Sequence, residues 1–213
     1  KVALPAVYVG GLAMFVAGTL GSTSWVMYTT YGALVLAIAW RLFTGGQESN
    51  AIGGITATVF IIAYIPFMAS FVGLMSARSD SPWPIVFFIL VVVANDLGGW
   101  LAGITFGKHP MAPRLSPKKS WEGFAGSLLL CGAVAYGATW VLGIEWWWAI
   151  PLAATGAVVG TLGDLTESLI KRGVGLKDMS EIMPGHGGIM DRLDSLLFTA
   201  PMFYLIYSLA LGW

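Results

Sequence analysis

The sequence predicts an all-α integral membrane protein, a polytopic bundle of about seven transmembrane helices. Three observations carry that prediction. Only 10% of the 213 residues are charged and 57% are hydrophobic, whereas soluble domains carry about 25% charged residues, and mean hydropathy is +0.78. Apolar runs of the length that crosses a hydrocarbon core of about 30 Å as helix, roughly 20 residues, recur along the chain. The few charges gather in two short windows. A formal net charge of zero speaks against a nucleic-acid partner. The single cysteine, Cys131, excludes an intrachain disulfide framework and, lying in an apolar run, reads as a packed thiol.

Taken in order, the predicted spans are 2–20, 24–43, 51–75, 84–106, 123–143, 146–170 and 189–212. The connections 21–23, 44–50 and 76–83 are short and rich in Gly, Ser, Asn, Asp or Pro, as turns require. The chain opens at Lys1 without a methionine and is expected to be part of something longer. Residues 2–20 read as a spanning helix rather than a removable signal peptide, because no convincing small-residue cleavage site follows. Residues 1–83 are expected to form a scaffold of N-terminal helices, and 84–213 a catalytic membrane region with polar loops at 107–122 and 171–190. Of eleven Lys and Arg, four lie in 108–119 and four in 171–192. Two spans separate these windows, so both emerge on one side, which the positive-inside rule makes the cytoplasm. Lys1 and Arg41 agree with that orientation, and Arg78 dissents. Trp25, Trp83 and Trp146–Trp148 fall near span ends, where amphipathic rings favour the interface.

The chemistry is expected where the charges are. In Gly163–Arg172, Asp164, Glu167, Ser168 and Lys171 share one helical stripe at the end of an apolar span. Carboxylates there are costly unless they face a cavity, a partner or an ion, although an internal pairing with Lys171 would also account for them. In Gly188–Ser195, Asp191, Asp194 and Ser195 share a face at the start of the last span, where a helix macrodipole also favours acids. Two such stripes converging at one depth would supply the hard oxygen ligands of a divalent cation bound to a nucleotide phosphate. Lys171, Arg172, Lys177 and Arg192 are donors suited to phosphate oxygens. Gly185, Gly187 and Gly188 let a ligand approach the backbone, with His186 set between them.

The window Gly107–Gly123 adds Lys108, Arg114, Lys118 and Lys119, held non-helical by prolines. It suits either anionic lipid head groups or a triphosphate. Ser120 and Glu122 read as opening the next helix, and Asp96 places a carboxylate deep in a span, inside the bundle. Gly99 and Gly103 form a G-x-x-x-G that marks close helix packing. No P-loop, Rossmann fingerprint, G-x-S-x-G or H-E-x-x-H is present in the sequence. Phosphate, divalent metal and membrane are what remain. A transporter with Asp96 and Asp164 along its pathway would spread charge across membrane depth, whereas here it collects on one face.

The run from Ser168 to Asp194, SLIKRGVGLKDMSEIMPGHGGIMDRLD, resembles the signature of phosphatidate cytidylyltransferases (CDP-diacylglycerol synthases). Pro184, His186, Gly187, Gly188, Asp191, Arg192 and Asp194 stand in register with its fixed positions. Upstream, Leu115–Gly123, LSPKKSWEG, resembles the family's S-P-K-K-T-x-E-G segment, with Ser120 in place of the common threonine. The likeness covers about residues 90–200. It implies cytidylyl transfer from CTP to phosphatidic acid, giving CDP-diacylglycerol and pyrophosphate for phospholipid synthesis. It also implies Mg²⁺, alone or with a monovalent cation such as K⁺. Carried over by position, Asp164, Asp191 and Asp194 would hold the metal. Lys171, Arg172, Lys177, Arg192 and His186 would hold CTP phosphates, and Ser116, Lys118 and Lys119 would sit by the lipid phosphate or the triphosphate. The expected setting is a bacterial inner membrane with the site on the cytoplasmic face, and a homodimer is expected from the likeness and the G-x-x-x-G face. The competing reading keeps CTP but takes an isoprenoid acceptor, as in CDP-archaeol synthases or polyprenol kinases.

Overall fold

The structure, a computed structural model, describes residues 2–44, 51–173, 175 and 190–213, the side chains of 190–192 excepted. Taking contiguous helix as one element, the described residues form α1 (Leu4–Thr19), α2 (Thr23–Thr44), α3 (Ala51–Arg78), α4 (Trp83–Phe106), a hairpin of β1 (Pro110–Ala112) and β2 (Ser116–Ser120), α5 (Trp121–Leu142), α6 (Trp146–Gly173) and α7 (Met190–Leu211). Among them, six helices are long and apolar enough to cross a membrane, and α1, at 16 residues, is apolar but shorter. The polytopic helical bundle is therefore as the sequence predicts. Contacts divide the chain into two compact units, Lys1–Asp80 and Ser81–Trp213.

In the first unit, α1 to α3 meet through small residues. A Cβ on Gly10 would lie 2.4 Å from that of Ala33, and one on Gly18 2.5 Å from the Ser70 carbonyl oxygen. Ala3, Ala6, Met14, Ala33, Ala37 and Ile62 form the core. Large side chains such as Tyr8, Leu42 and Phe43 point outward instead. This inverts the usual soluble pattern, because lipid solvates large apolar groups and the helices gain most from close backbone approach. Within α3, a π-turn at Ala63–Phe67 accommodates Pro66, which has no N–H to give an α-helical ladder.

The second unit is built on α4 against α5. Gly98, Gly99 and Gly103 face Gly123, Gly126 and Ser127 so closely that a Cβ on Gly98 would lie 2.6 Å from the Gly126 carbonyl oxygen. Ser127 donates its hydroxyl to the Asn95 carbonyl at 2.6 Å, and the buried Cys131 thiol donates to the Val91 carbonyl at 3.3 Å. The G-x-x-x-G face is thus spent inside the chain, so it does not supply the dimer contact that the sequence suggested. Gly98→Ala should therefore destabilise the protein by about 1–3 kcal/mol through overpacking. Gly132→Ala, with nothing within 4 Å of the new methyl, should be neutral or stabilising by up to about 1 kcal/mol. Thermal unfolding in detergent checks the pair, and equal effects would contradict this packing.

The helix α6 begins as a 3₁₀ turn at Trp146–Trp148 and carries a π-turn at Thr155–Val159. Past that turn, Gly160 lies against Asn95 of α4, and Gly163 against Asp194 and Ser195 of α7. Ser195 fastens α7 to α6 by donating its hydroxyl to the Gly160 carbonyl at 3.1 Å. Phe88 of α4 meets Phe203 of α7 edge-on. Small residues on α6 thus bring α4 and α7 to the last 14 residues of α6.

Candidate active site

The connection from α4 to α5, expected as an irregular basic loop, folds as an antiparallel hairpin pairing Pro110 with Ser120 and Ala112 with Ser116, with a register irregularity between. Ser120 ends β2 and caps α5, its hydroxyl accepting the Gly123 N–H at 3.1 Å. Glu122 does more than open the helix. Its carboxylate accepts the N–H groups of Lys108 and His109 at 3.1 and 3.2 Å and meets His109 Nδ1 at 2.6 Å. The second strand therefore stands at a fixed place over the end of the bundle, with Ser116, Lys118 and Lys119 on it.

Beneath the hairpin lies a cleft of about 320 Å³. Buried Asn95 and exposed Asp96 of α4 line it, so Asp96 is not enclosed in the bundle as the sequence suggested; Trp100, Met111 and Phe124 add apolar walls, and Lys118, Lys119 and Asp164 polar ones. Asn95, 3% exposed, donates to Asp96 Oδ1 at 3.2 Å and accepts the Thr161 hydroxyl at 3.4 Å. This amide ties the α4 carboxylate to α6, one turn before Asp164. A second cleft of about 260 Å³ adjoins the first, lined by Ser116, Lys118, Ser168, Lys171 and Arg172 among others. Ser116 and Lys118 line both, so the two clefts meet at these side chains.

At the base stand three carboxylates. Asp164, Glu167 and Asp194 each place one oxygen within 4.8 Å of the others. Glu167 is 1% exposed and Asp194 6%. Lys119 forms an ion pair with Asp164, and Lys171 Nζ pairs with Glu167 Oε2 at 3.0 Å. Asp194 Oδ1 accepts the Ser195 N–H at 2.7 Å. An all-oxygen, carboxylate-rich donor set suits a hard divalent cation and no soft metal. Oxygens of one Mg²⁺ lie no more than about 4.2 Å apart, from bonds of about 2.1 Å, so the three would draw together to hold one. The donor set fits the expected metal.

The structure thus brings together Asp96, Ser116, Lys118, Lys119, Asp164, Glu167, Ser168, Lys171, Arg172 and Asp194 around two adjoining clefts and one carboxylate cluster. Lys177, His186, Gly187 and Gly188 lie outside the described residues, as do the side chains of Asp191 and Arg192. Glu167, which the likeness to the family did not place among the metal ligands, stands in the carboxylate cluster itself. Sequence reasoning missed Asn95, Thr161 and the reach of Glu122 to His109. The asparagine adjoining Asp96 was a visible signal, whereas the fourteen-residue reach from Lys108 to Glu122 depends on the hairpin.

The chain matches the Cytidylyltransferase family over residues 2–210. It is 40% identical over 191 residues to a protein of Mycobacterium bovis named phosphatidate cytidylyltransferase, covering 84% of this chain and 62% of the relative. A protein of the same name from Mycobacterium leprae is 40% identical over 205 residues, 85% of this chain and 65% of the relative. One from Haemophilus influenzae is 37% identical over 163 residues, 69% and 55% of the two chains. The chain therefore spans less than two thirds of the length of these relatives. With the match running almost end to end, and the clefts and carboxylates lying within it, the chain belongs to the cytidylyltransferase family.

Proposed function

We propose that this chain transfers a cytidylyl group from CTP to phosphatidic acid, forming CDP-diacylglycerol and releasing pyrophosphate. The observation that carries the proposal is the pair of clefts sharing Ser116 and Lys118 beside the carboxylate cluster. Two polyanions must meet here, and two cationic recesses that join at shared side chains are the arrangement that meeting needs. The names of the relatives support the same acceptor.

The cleft lined by Asp96 and apolar walls suits the lipid, whose acyl chains stay in the bilayer while its phosphate rises to Lys118 and Lys119. The cleft of Lys118, Lys171 and Arg172 suits the triphosphate, and Lys177, His186, Gly187, Gly188 and Arg192 would serve the same phosphates by their match to the family signature. A phosphatidate oxygen attacks the α-phosphorus of CTP, the bond to the β-phosphate breaks, and pyrophosphate leaves with the electron pair. The attacking oxygen is already anionic, so no strong base is needed, and positioning and charge neutralisation do most of the work. Asp164, Glu167 and Asp194, with Asp191, would hold Mg²⁺, alone or with a monovalent cation such as K⁺; it would neutralise charge on the leaving pyrophosphate. Lys171 stays fixed by Glu167 and faces the triphosphate, while Lys119 bridges the lipid side to Asp164. The chemistry then falls in the second compact unit, on the cytoplasmic face of a bacterial inner membrane. The homodimer belongs to the same proposal, through a face other than Gly99 and Gly103.

The test is CDP-lipid formation from radiolabelled CTP by the purified chain in lipid–detergent micelles with Mg²⁺. Phosphatidic acid should give Mg²⁺-dependent product. Product only from an isoprenoid acceptor, or none from folded protein, would overturn the assignment. Cross-linking in native-like lipid, read beside activity, tests the dimer, and a fully active monomer would remove it.

A further inference from the structure

The hairpin that carries Ser116, Lys118 and Lys119 is poorly equipped to hold itself in place. Two-stranded hairpins are marginal alone, and β1 is only three residues long with a register irregularity. It opens on Pro110, which has no N–H to give the ladder opposite Ser120. Below that point the strands are joined by the Trp121 N–H donating to the His109 carbonyl at 3.0 Å. What closes the base is the side chain of Glu122, in the first turn of α5. One oxygen takes both the Lys108 and His109 N–H groups, and the other meets the His109 ring.

We infer that Glu122 is a positioning residue for the reaction: it clasps the base of the hairpin to α5 and so sets Lys119 over the carboxylate cluster. The reading rests on the cytidylyl-transfer function proposed above. Glu122 lines neither cleft, so its effect is transmitted. The path is short. The clasped pair Lys108–His109 precedes Pro110, Pro110 pairs with Ser120, and Lys119 is the residue before Ser120 and pairs with Asp164. A displacement of about 1 Å at a reacting group costs on the order of 10²-fold in rate. An unclasped hairpin has that freedom, while the helices beneath keep their packing.

Three comparisons test this. Glu122→Ala should lower kcat/KM roughly 10- to 100-fold, with amide exchange at residues 108–120 at least about tenfold faster and exchange in α4 to α7 unmoved. Glu122→Gln keeps an oxygen for the two N–H groups and should retain at least about a third of the activity. If Glu122 acts through Lys119, then Glu122→Ala in a Lys119→Met background should cost less than about twofold more, because residues in one chain of action are not additive. Additive losses, or a glutamine variant as poor as alanine, would overturn the inference. Wild type that makes no CDP-lipid would overturn the functional reading and this role with it; exchange at Lys108 and His109 would still report the clasp and tell the two failures apart. Unchanged exchange in Glu122→Ala would dismiss the clasp itself.

Discussion

Asp164→Asn is expected to lower CDP-lipid formation roughly 10²–10³-fold, the loss typical when one preorganised charged group is removed from a reaction centre. Asp164 sits where three functions meet. It borders the cleft beneath the hairpin, contributes an oxygen to the carboxylate cluster and anchors Lys119. Its side chain is 33% exposed and that of Lys119 25%, so the ion pair contributes little to folding, at most about 1 kcal/mol. The variant should therefore unfold within a few degrees of wild type while its Mg²⁺ requirement rises. Initial rates across a Mg²⁺ titration, beside a thermal melt, make the measurement. Activity within tenfold of wild type at any Mg²⁺ concentration would take Asp164 out of the reaction centre.

Glu167→Gln is expected to cost both activity and stability, about 3 kcal/mol of the latter. Glu167 is 1% exposed, and its partner Lys171 only 16% at 3.0 Å. Removing one member of a buried pair takes from the other part of the charge that offsets its burial, which is more costly than deleting both. Glu167→Gln combined with Lys171→Met should recover most of the lost stability and none of the lost turnover. Thermal unfolding of the two single variants and the double variant separates the structural share from the chemical one. A double variant as unstable as Glu167→Gln alone would mean that the pair is not what holds this end of α6.

Apolar runs determine a membrane helix almost by themselves, which is why the spans from Leu4 to Leu211 were legible to within a few residues. The stripe of Asp164, Glu167 and Lys171 was legible for a similar reason, since helical periodicity fixes which residues share a face. Convergence was harder to read. That Asp194 lies beside Asp164 and Glu167 depends on Gly163 admitting α7 at backbone contact, a tertiary event that no local pattern encodes. The hairpin was hidden because β1 is three residues long and contains a proline, too little for an alternating pattern. Without the hairpin, Glu122 looks like an ordinary acid in a first helical turn. The role of Gly99 and Gly103 was read correctly as packing, but a G-x-x-x-G does not say whether its partner is the same chain or another.

The π-turn at Thr155–Val159 sets a rule for changes in chain length. Such a turn holds one residue more than the α-helix it interrupts, and each residue turns a helix by about 100°. Deleting a single residue there would leave an equally greasy and continuous span, invisible to any hydropathy profile. Asp164 and Glu167 would also keep their bearing toward Asp194, because only the extra residue is lost, whereas a deletion from the regular helix between Gly160 and Asp164 would swing them by about 100°. A one-residue deletion between Thr155 and Val159 should thus be far better tolerated than one between Gly160 and Asp164, which should be as damaging as loss of the carboxylates.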